Sequence, residues 1–401
     1  MSSCRLCQKK QFLTLLDLGA HPIAHHFLNS PSEEEYRHPV TLCFCEHCGL
    51  IQLSNPIPGE LLYTNYICFS SWKYQPHIPH LVQMIEDFTD LDKSSMVLEV
   101  GSNDGIFLDA LHHKGFEKLV GIEPAHDVCH FAQQKGLNVI CSYFTPQTAE
   151  DFVATYGKCD LFISRQMLEH ISDLEGFQKA MQIVLSPGGF VVFEVPNFAC
   201  NLDAPDYTIW EEHVNYFIPE TLALFLSQAG IQIIHKETTV FSGGALIVIG
   251  QYLGYPRLSP FFEHMKTLRE KAIRYRERWP VFRNALIQYL RQHKEKGGKV
   301  AAYGAGARFC SLVNFLNLGP YIEFIVDDQP EKQGKYMPGS KLPILPGNAL
   351  EEHSIDLCLL AVNAESEDKV IAKHPEFQKR GGEFVSVLPP SDRLPHFWRQ
   401  I

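Results

Sequence analysis

Apolar and polar positions along the chain fall into three regimes. From about residue 95 to 250, short apolar runs alternate with stretches of helical spacing. MVLEVG, LVGIEP, NVICS, DLFISR, GFVVFEV, QIIHKETTVF and ALIVIGQYL read as strands, and FLDALHHKG and DVCHFAQQKG read as helices between them. Such alternation gives parallel β-α-β units and a doubly wound sheet. The last two runs flank SGG so closely that an antiparallel hairpin at one sheet edge is expected. A second series, KVAAYG, CSLVNFLNL, IEFIVDD, IDLCLLAV and EFVSVLP, predicts a smaller α/β unit. A charged helical stretch from about 257 to 296 joins the two series, and Pro280 should kink or split it. The first 75 residues follow neither rhythm. They are rich in cysteine and turn residues, and VTLCFCEHCGLIQL reads as a hairpin feeding a strand. HIPHLVQMIEDF then reads as a helix. The expected fold class is α/β: a small cysteine-bearing domain over 1–75, a doubly wound sheet over 76–255, and a helical connector with a Rossmann-like domain over 256–401.

Composition narrows the function. A chain of 401 residues is too long for one core, so two or three domains are expected. No apolar run of about 18 residues predicts a membrane helix. The N-terminus has no basic leader followed by an apolar stretch, so a cytoplasmic location and no membrane partner are expected. A net charge of -11 lowers the expectation of a nucleic-acid partner, which would demand a basic surface. Most of the 12 cysteines are scattered singly; Cys129, Cys141, Cys159, Cys200, Cys310 and Cys358 read as buried reduced thiols.

The N-terminal cysteines are different. Cys4 and Cys7 form one C-x2-C pair, and Cys45 and Cys48, followed by Gly49, form another. Two such pairs supply four thiolates for a tetrahedral Zn²⁺, and four protein ligands leave no open position, so the ion is assigned to structure. Cys43 competes, and is set aside as pointing to the opposite face of its strand.

The segment VLEVGSNDGIFLDAL points to a cofactor. Gly101, Ser102, Asn103, Asp104 and Gly105 make a tight loop at the carboxyl end of the first strand, and a helix begins near Phe107. Open α/β sheets bind ligands there. Glu123, followed by Pro124, ends the next strand about twenty residues on, where an acid reaches ribose hydroxyls. The absence of G-x-G-x-x-G argues against a pyrophosphate and for another adenosine-bearing cofactor. Farther on, EEHVNYF follows the fifth strand of the sheet. His213 is a candidate base for a proton next to a ketone, and His213 and Tyr216 share a face if the segment is helical.

The EVGSNDGIFL loop, GIEP, and LEHISD before LSPGGFVVFEVP resemble the cofactor motifs of class I S-adenosylmethionine methyltransferases, and by that resemblance Gln166 and His170 stand where the family contacts the methionine part or shapes the pocket. Over nearly its whole length, the chain resembles the bacterial sugar C-methyltransferases, which methylate nucleotide-linked 4-keto-deoxysugars. CRLC, LDLGAHPIAHHF and CEHCGLIQL match that family's zinc domain. GGKVAAYGAGARFCSLVNFL with FIVDDQPEKQGKYMPGSKLPI matches its C-terminal domain. The resemblance implies S-adenosylmethionine and structural Zn²⁺ as cofactors and a nucleotide-linked keto-sugar as substrate. It makes His213 the general base, with Glu212 the acid beside it and Tyr66 a further catalytic group. Trp210, Tyr216, Ser70, Asn197, Gly304 and Arg308 are the implied substrate residues. Two departures stand out. Trp210 holds a place where the family has tyrosine, and the family's tyrosine pair before two serines reads here as Tyr66 and Cys68 before Ser70 and Ser71. Gly304, Gly306 and Ala307 follow a strand and Asp327 ends the next, but Phe309 replaces the third glycine. The C-terminal domain is therefore read as contacting nucleotide or substrate, not as a second cofactor site. The alternatives are an O- or N-methyltransferase, or a cofactor-binding protein that has lost sugar methylation. Nothing in the sequence fixes the oligomeric state.

Overall fold

The computed structural model describes residues 3–62, 75–204, 206, 207, 209–256 and 265–400. Its centre is a seven-stranded sheet in the order Ile231–Thr239, Ala245–Tyr252, Leu185–Pro196, Cys159–Arg165, Met96–Val100, Lys118–Ile122 and Val139–Ile140. The five strands from Val139–Ile140 to Leu185–Pro196 pair in parallel. Ala245–Tyr252 runs against both its neighbours, which makes the expected edge hairpin with Ile231–Thr239. The central strands are buried on both faces, as near-continuous runs such as LFIS and FVVFEV require, because helices cover a parallel sheet on each side.

A five-stranded parallel sheet forms the C-terminal part, in the order Ile344–Leu345, Ile325–Val326, Val300–Tyr303, Leu357–Leu360 and Glu383–Ser386. The connector is one 31-residue helix, Met265–Glu295, which runs through Pro280 without splitting. A single interior proline removes one helix hydrogen bond, and buried Tyr275, Phe282, Leu286 and Leu290 hold the helix on either side of it.

The N-terminal unit is a four-stranded antiparallel sheet: Phe12–Pro22, Arg37–Cys45, Ile51–Leu53 and Asn215–Tyr216. Its last strand comes from the middle of the chain, two residues after His213. A bridge between Leu28 and Tyr336 ties the same unit to the C-terminal part. Two cysteine expectations need correction. Cys129 and Cys141, read as separate reduced thiols, are joined in a disulfide with their Cα atoms 5.7 Å apart, well within bonding reach. Cys200, read as buried, is exposed.

Candidate functional site

A cavity of about 520 Å³ opens where all three units meet. Ala24, His25 and Phe27 come from the N-terminal unit; Gln166, Glu169, His170, Asn197, Trp210, His213 and Tyr216 come from the central one; Tyr303, Gly304, Arg308, Asp327 and Lys332 come from the C-terminal one. Sequence reasoning named His213, Gln166, His170, Trp210, Tyr216, Asn197, Gly304 and Arg308 separately, and the fold gathers them around this single space. Tyr66, Cys68, Ser70 and Ser71 lie outside the described residues.

The segment carrying His213 is not helical: it is a turn over Glu211 and Glu212 that runs into the strand Asn215–Tyr216. The sheet pairing of Ile51 with Tyr216 and Gln52 with Asn215 pulls it into extended backbone. Every unit grips it. From the C-terminal side, Arg308 pairs with Asp206 (3.2 Å) and the Ser311 hydroxyl donates to the Ile209 carbonyl. Tyr275 of the connector donates to the Asp206 carbonyl at 3.0 Å. From the N-terminal side, the Ala24 amide donates to the Glu211 carboxylate at 2.6 Å, and the Leu53 amide donates to the Val214 carbonyl at 3.0 Å. From the central unit, the Val214 amide donates to the Glu169 carbonyl at 2.8 Å.

The His213 ring stands 4.5 Å from Trp210, 4.8 Å from His170 and 6.2 Å from Tyr216, centroid to centroid. Burial, then His170 and Arg308, hold its pKa well below the ordinary histidine range, so the ring is neutral and offers a nitrogen lone pair at neutral pH. The Tyr216 hydroxyl donates to the Trp210 carbonyl at 2.9 Å and accepts from the Trp210 amide at 3.0 Å, which fixes the Trp210–Tyr216 turn. Glu212 does not stand beside His213 in the cavity wall. It is 0% exposed and pairs with His25 Nδ1 at 2.7 Å, while its carbonyl accepts from His170 Nδ1 at 3.1 Å. Glu212 lies in the turn and anchors the N-terminal unit, while His213, the residue after the turn, faces the cavity. Burial works against the charged form of His25, yet its bond to Glu212 raises its pKa.

Sequence reasoning missed Glu169. It precedes His170 in LEH, it lines the cavity, and it is 2% exposed with no hydrogen-bond partner for either carboxyl oxygen among the described residues. Burial raises its pKa to about 8. Its only signal in the sequence was adjacency to a predicted site residue.

The cofactor loop lies as expected between the strand Met96–Val100 and the helix Ile106–His113. Glu123 organises it: one carboxyl oxygen accepts from the Asn103 amide and the other from the Ala125 amide, both at 2.9 Å. Burial raises the pKa of Glu123. Asp104 meets Lys135 at 3.1 Å. Gly101 has φ +76°, and a Cβ there would come within 2.8 Å of Met167 Cγ, so only glycine lets this turn pass beside the Gln166–His170 segment. Phe107 is not a pocket residue. Its ring is 1% exposed in the core, with the Arg165 guanidinium 4.4 Å above it, because its place in the helix faces the sheet. Arg165 also pairs with Glu194 (3.0 Å) and approaches Glu99 (3.8 Å) at the ends of three adjacent strands.

These residues fit S-adenosylmethionine. Glu99 Oε2 is buried without a hydrogen-bond partner among the described residues, and Gln166 Nε2 is likewise unpaired, so a donor and an acceptor await a ligand beside the glycine turn. Burial raises the pKa of Glu99 to about 8, so a cation beside Oε2 would favour its carboxylate, and Glu123 stands where an acid reaches ribose hydroxyls.

The four N-terminal thiols form a group whose sulfurs all lie within 4.8 Å of one another, with Cys4–Cys48 at 3.5 Å and Cys7–Cys45 at 3.6 Å. A tetrahedral Zn²⁺ with ordinary Zn–S bonds sets its sulfurs about 3.8 Å apart, so the cage fits. Cys43 stays out for a reason other than the one expected. Two residues apart on a strand, Cys43 and Cys45 share a face, but that step moves the thiol about 6.6 Å along the strand, out of reach of the cage.

In the C-terminal unit, Asp327 accepts from the Ala305 amide at 2.7 Å and the Gln329 amide at 2.9 Å, and pairs with Lys332 at 3.3 Å. Phe309, in the place of the third glycine, is buried in the core. Gly304, at φ +110°, sits where a Cβ would come within 2.6 Å of the Ala361 carbonyl oxygen.

Three family models match in chain order: "Putative zinc binding domain" over residues 4–63, "Methyltransferase domain" over 73–236, and "C-methyltransferase C-terminal domain" over 263–389. The chain is similar to the C-methyltransferase NovU of Streptomyces niveus, with 27% identity over 97% of this chain and 96% of the relative. It is also similar to the ubiquinone biosynthesis O-methyltransferase of Bordetella avium, with 25% identity over 38% of this chain and 69% of the relative. Among solved structures, the magnesium protoporphyrin IX methyltransferase of Synechocystis, with S-adenosylmethionine bound, aligns at TM-score 0.33 and 13% identity over 44% of this chain and 77% of the other.

Proposed function

Starting from a chain that is an S-adenosylmethionine-dependent methyltransferase with a zinc-binding N-terminal domain, we propose that it methylates a carbon next to the keto group of a nucleotide-linked deoxysugar. The methyltransferase assignment rests on the three domain models and the full-length likeness to a C-methyltransferase. The carbon acceptor, the sugar and the base are our reading.

The observation that carries it is the placement of a neutral histidine in the wall of a cavity shared by all three units. The cofactor supplies an electrophilic methyl on a sulfonium and needs no metal or acid to activate it. What the protein must supply is a nucleophilic carbon. His213 removes the proton next to the carbonyl. Glu212 acts through position: its pair with His25 fixes the turn from which His213 projects. Trp210 brings an indole N–H in place of a phenol, so it can donate a hydrogen bond but not a proton. Arg308, Lys332, Lys369 and Lys373 line the C-terminal side of the cavity, which suits a nucleoside diphosphate on a sugar whose ring reaches His213.

The test is mass spectrometry of a panel of nucleotide-linked 4-keto-deoxysugars incubated with enzyme and cofactor. One member should gain one methyl with wild type and none with His213→Asn, while calorimetry shows cofactor affinity unchanged within about twofold. Equal turnover by the variant would assign the chain to an O- or N-methyltransferase class. Cofactor binding with no product from any member would support a protein that has lost sugar methylation.

A further inference from the structure

Methyl transfer through an enolate needs two proton-handling groups, one at carbon and one at the carbonyl oxygen. His213 fills the first role. The second needs a donor in the same wall. Glu169, His170 and His213 each present an atom to a cluster whose members all lie within 4.8 Å of one another. In a ketone, the carbonyl oxygen and the neighbouring carbon are about 2.4 Å apart. A base and an acid that each reach their atom at hydrogen-bond distance therefore stand about 4–5 Å from one another, a separation that a cluster held within 4.8 Å admits.

The hydrogen bonds decide which of the other two is the acid. The Glu212 carbonyl can only accept, so His170 Nδ1 carries the hydrogen of that 3.1 Å contact. Burial lowers the pKa of His170, so the ring is neutral and its Nε2 is an acceptor. It cannot donate to an enolate. The Tyr216 hydroxyl is committed to the Trp210 carbonyl. Glu169 is the group whose two oxygens have no partner among the described residues, though the side chain is almost fully enclosed and lines the cavity. A carboxylate left so would be costly, whereas a neutral carboxylic acid holds a proton ready for an incoming oxygen.

Resting on the carbon-methylation reading above, we propose that Glu169 is the catalytic acid of this site, donating its proton to the carbonyl oxygen while His213 takes the proton from carbon. The C–H electron pair becomes the new C=C π bond, and the C=O π pair moves onto oxygen, which takes the Glu169 proton. In the second half, the O–H proton returns to Glu169 and the carbonyl re-forms. The carbon pair closes on the transferred methyl, and the S–CH₃ pair stays on sulfur. The imidazolium of His213 loses its proton to solvent.

Three measurements test this. The first uses free enzyme and needs no sugar. The infrared difference spectrum of wild type against Glu169→Gln should contain the carbonyl band of a neutral carboxyl at neutral pH, and this band should fade as pH rises through about 8. Absence of the band overturns the proposal whether or not any keto-sugar turns over. The second uses the panel member that gains a methyl. An acid is needed in its protonated form, so the wild-type rate should fall as pH rises through about 8. Glu169→Gln, which keeps a hydrogen-bond donor, should lose that alkaline limb and run at least about tenfold slower, with cofactor affinity unchanged. An unchanged limb in the variant overturns the proposal. So does a metal count of about two per chain that falls to about one in Glu169→Gln, which would give the cluster to a metal. If no panel member exchanges or gains a methyl, the carbon-methylation reading fails, and the infrared band still decides the protonation state of Glu169.

Discussion

The parallel parts of the central and C-terminal sheets solve the same local problem in one way and use the solution differently. In each, a glycine turn follows a strand, and an acid at the end of the next strand closes on it. Glu123 accepts from Asn103 and Ala125; Asp327 accepts from Ala305 and Gln329. In both, a single carboxylate bonds an amide of the loop and the amide two residues beyond itself. The difference lies in what else the acid meets. Lys332 neutralises Asp327, and the turn beside it sends Arg308 across the cavity to Asp206 on the base segment. Among the described residues no lysine pairs with Glu123, and burial raises its pKa. The central turn's acid meets no cation among the described residues, whereas the C-terminal turn pairs its acid with Lys332 at the cavity wall and sends its arginine toward the neighbouring unit. A glycine turn with an acid at the next strand end is therefore weak evidence of a cofactor until the partners of the acid are known.

The contrast can be broken by matched substitutions. The largest effect is expected on cofactor affinity: Glu123→Ala should weaken S-adenosylmethionine binding by about tenfold or more, since a hydrogen bond to a charged acceptor is lost. Asp327→Ala should leave it within about twofold. Equal losses would mean that both turns serve the cofactor. Next, Arg308→Ala should lower the methyl-transfer rate by about tenfold with cofactor affinity intact, because a loosened base segment costs alignment. A matching loss of cofactor affinity would contradict that separation. The smallest effect concerns stability in denaturant. Asp327→Asn removes the charge partner of Lys332, which keeps its bond to the Ala305 carbonyl at 3.2 Å, and should cost about 1 kcal/mol. Glu123→Gln leaves no cation unpaired and should cost less.

Much of this architecture was legible in the chain. The strands, the edge hairpin, the cofactor turn and the four-thiol cage follow from period, turn residues and paired cysteines, all of which are local. What escaped was long-range. A two-residue strand has no periodicity, so nothing in HVNYF announces that Asn215–Tyr216 completes a sheet begun 200 residues earlier. That pairing fixes the exit of the turn over Glu211 and Glu212, from which Glu212 meets His25 and His213 faces the cavity. The disulfide between Cys129 and Cys141 joins a helix to a strand end, which cysteine spacing alone does not reveal. Phe107 was misplaced because a residue just after a glycine turn can face either the pocket or the sheet, and only packing decides.

The most direct test of the central claim separates deprotonation from methyl transfer. The keto-sugar that gains a methyl is incubated in deuterated water with enzyme and no cofactor, and its mass is followed. Wild type should exchange the hydrogen next to the carbonyl for deuterium, and His213→Asn should not. Equal deuterium uptake by the two proteins would show that some other group removes the proton.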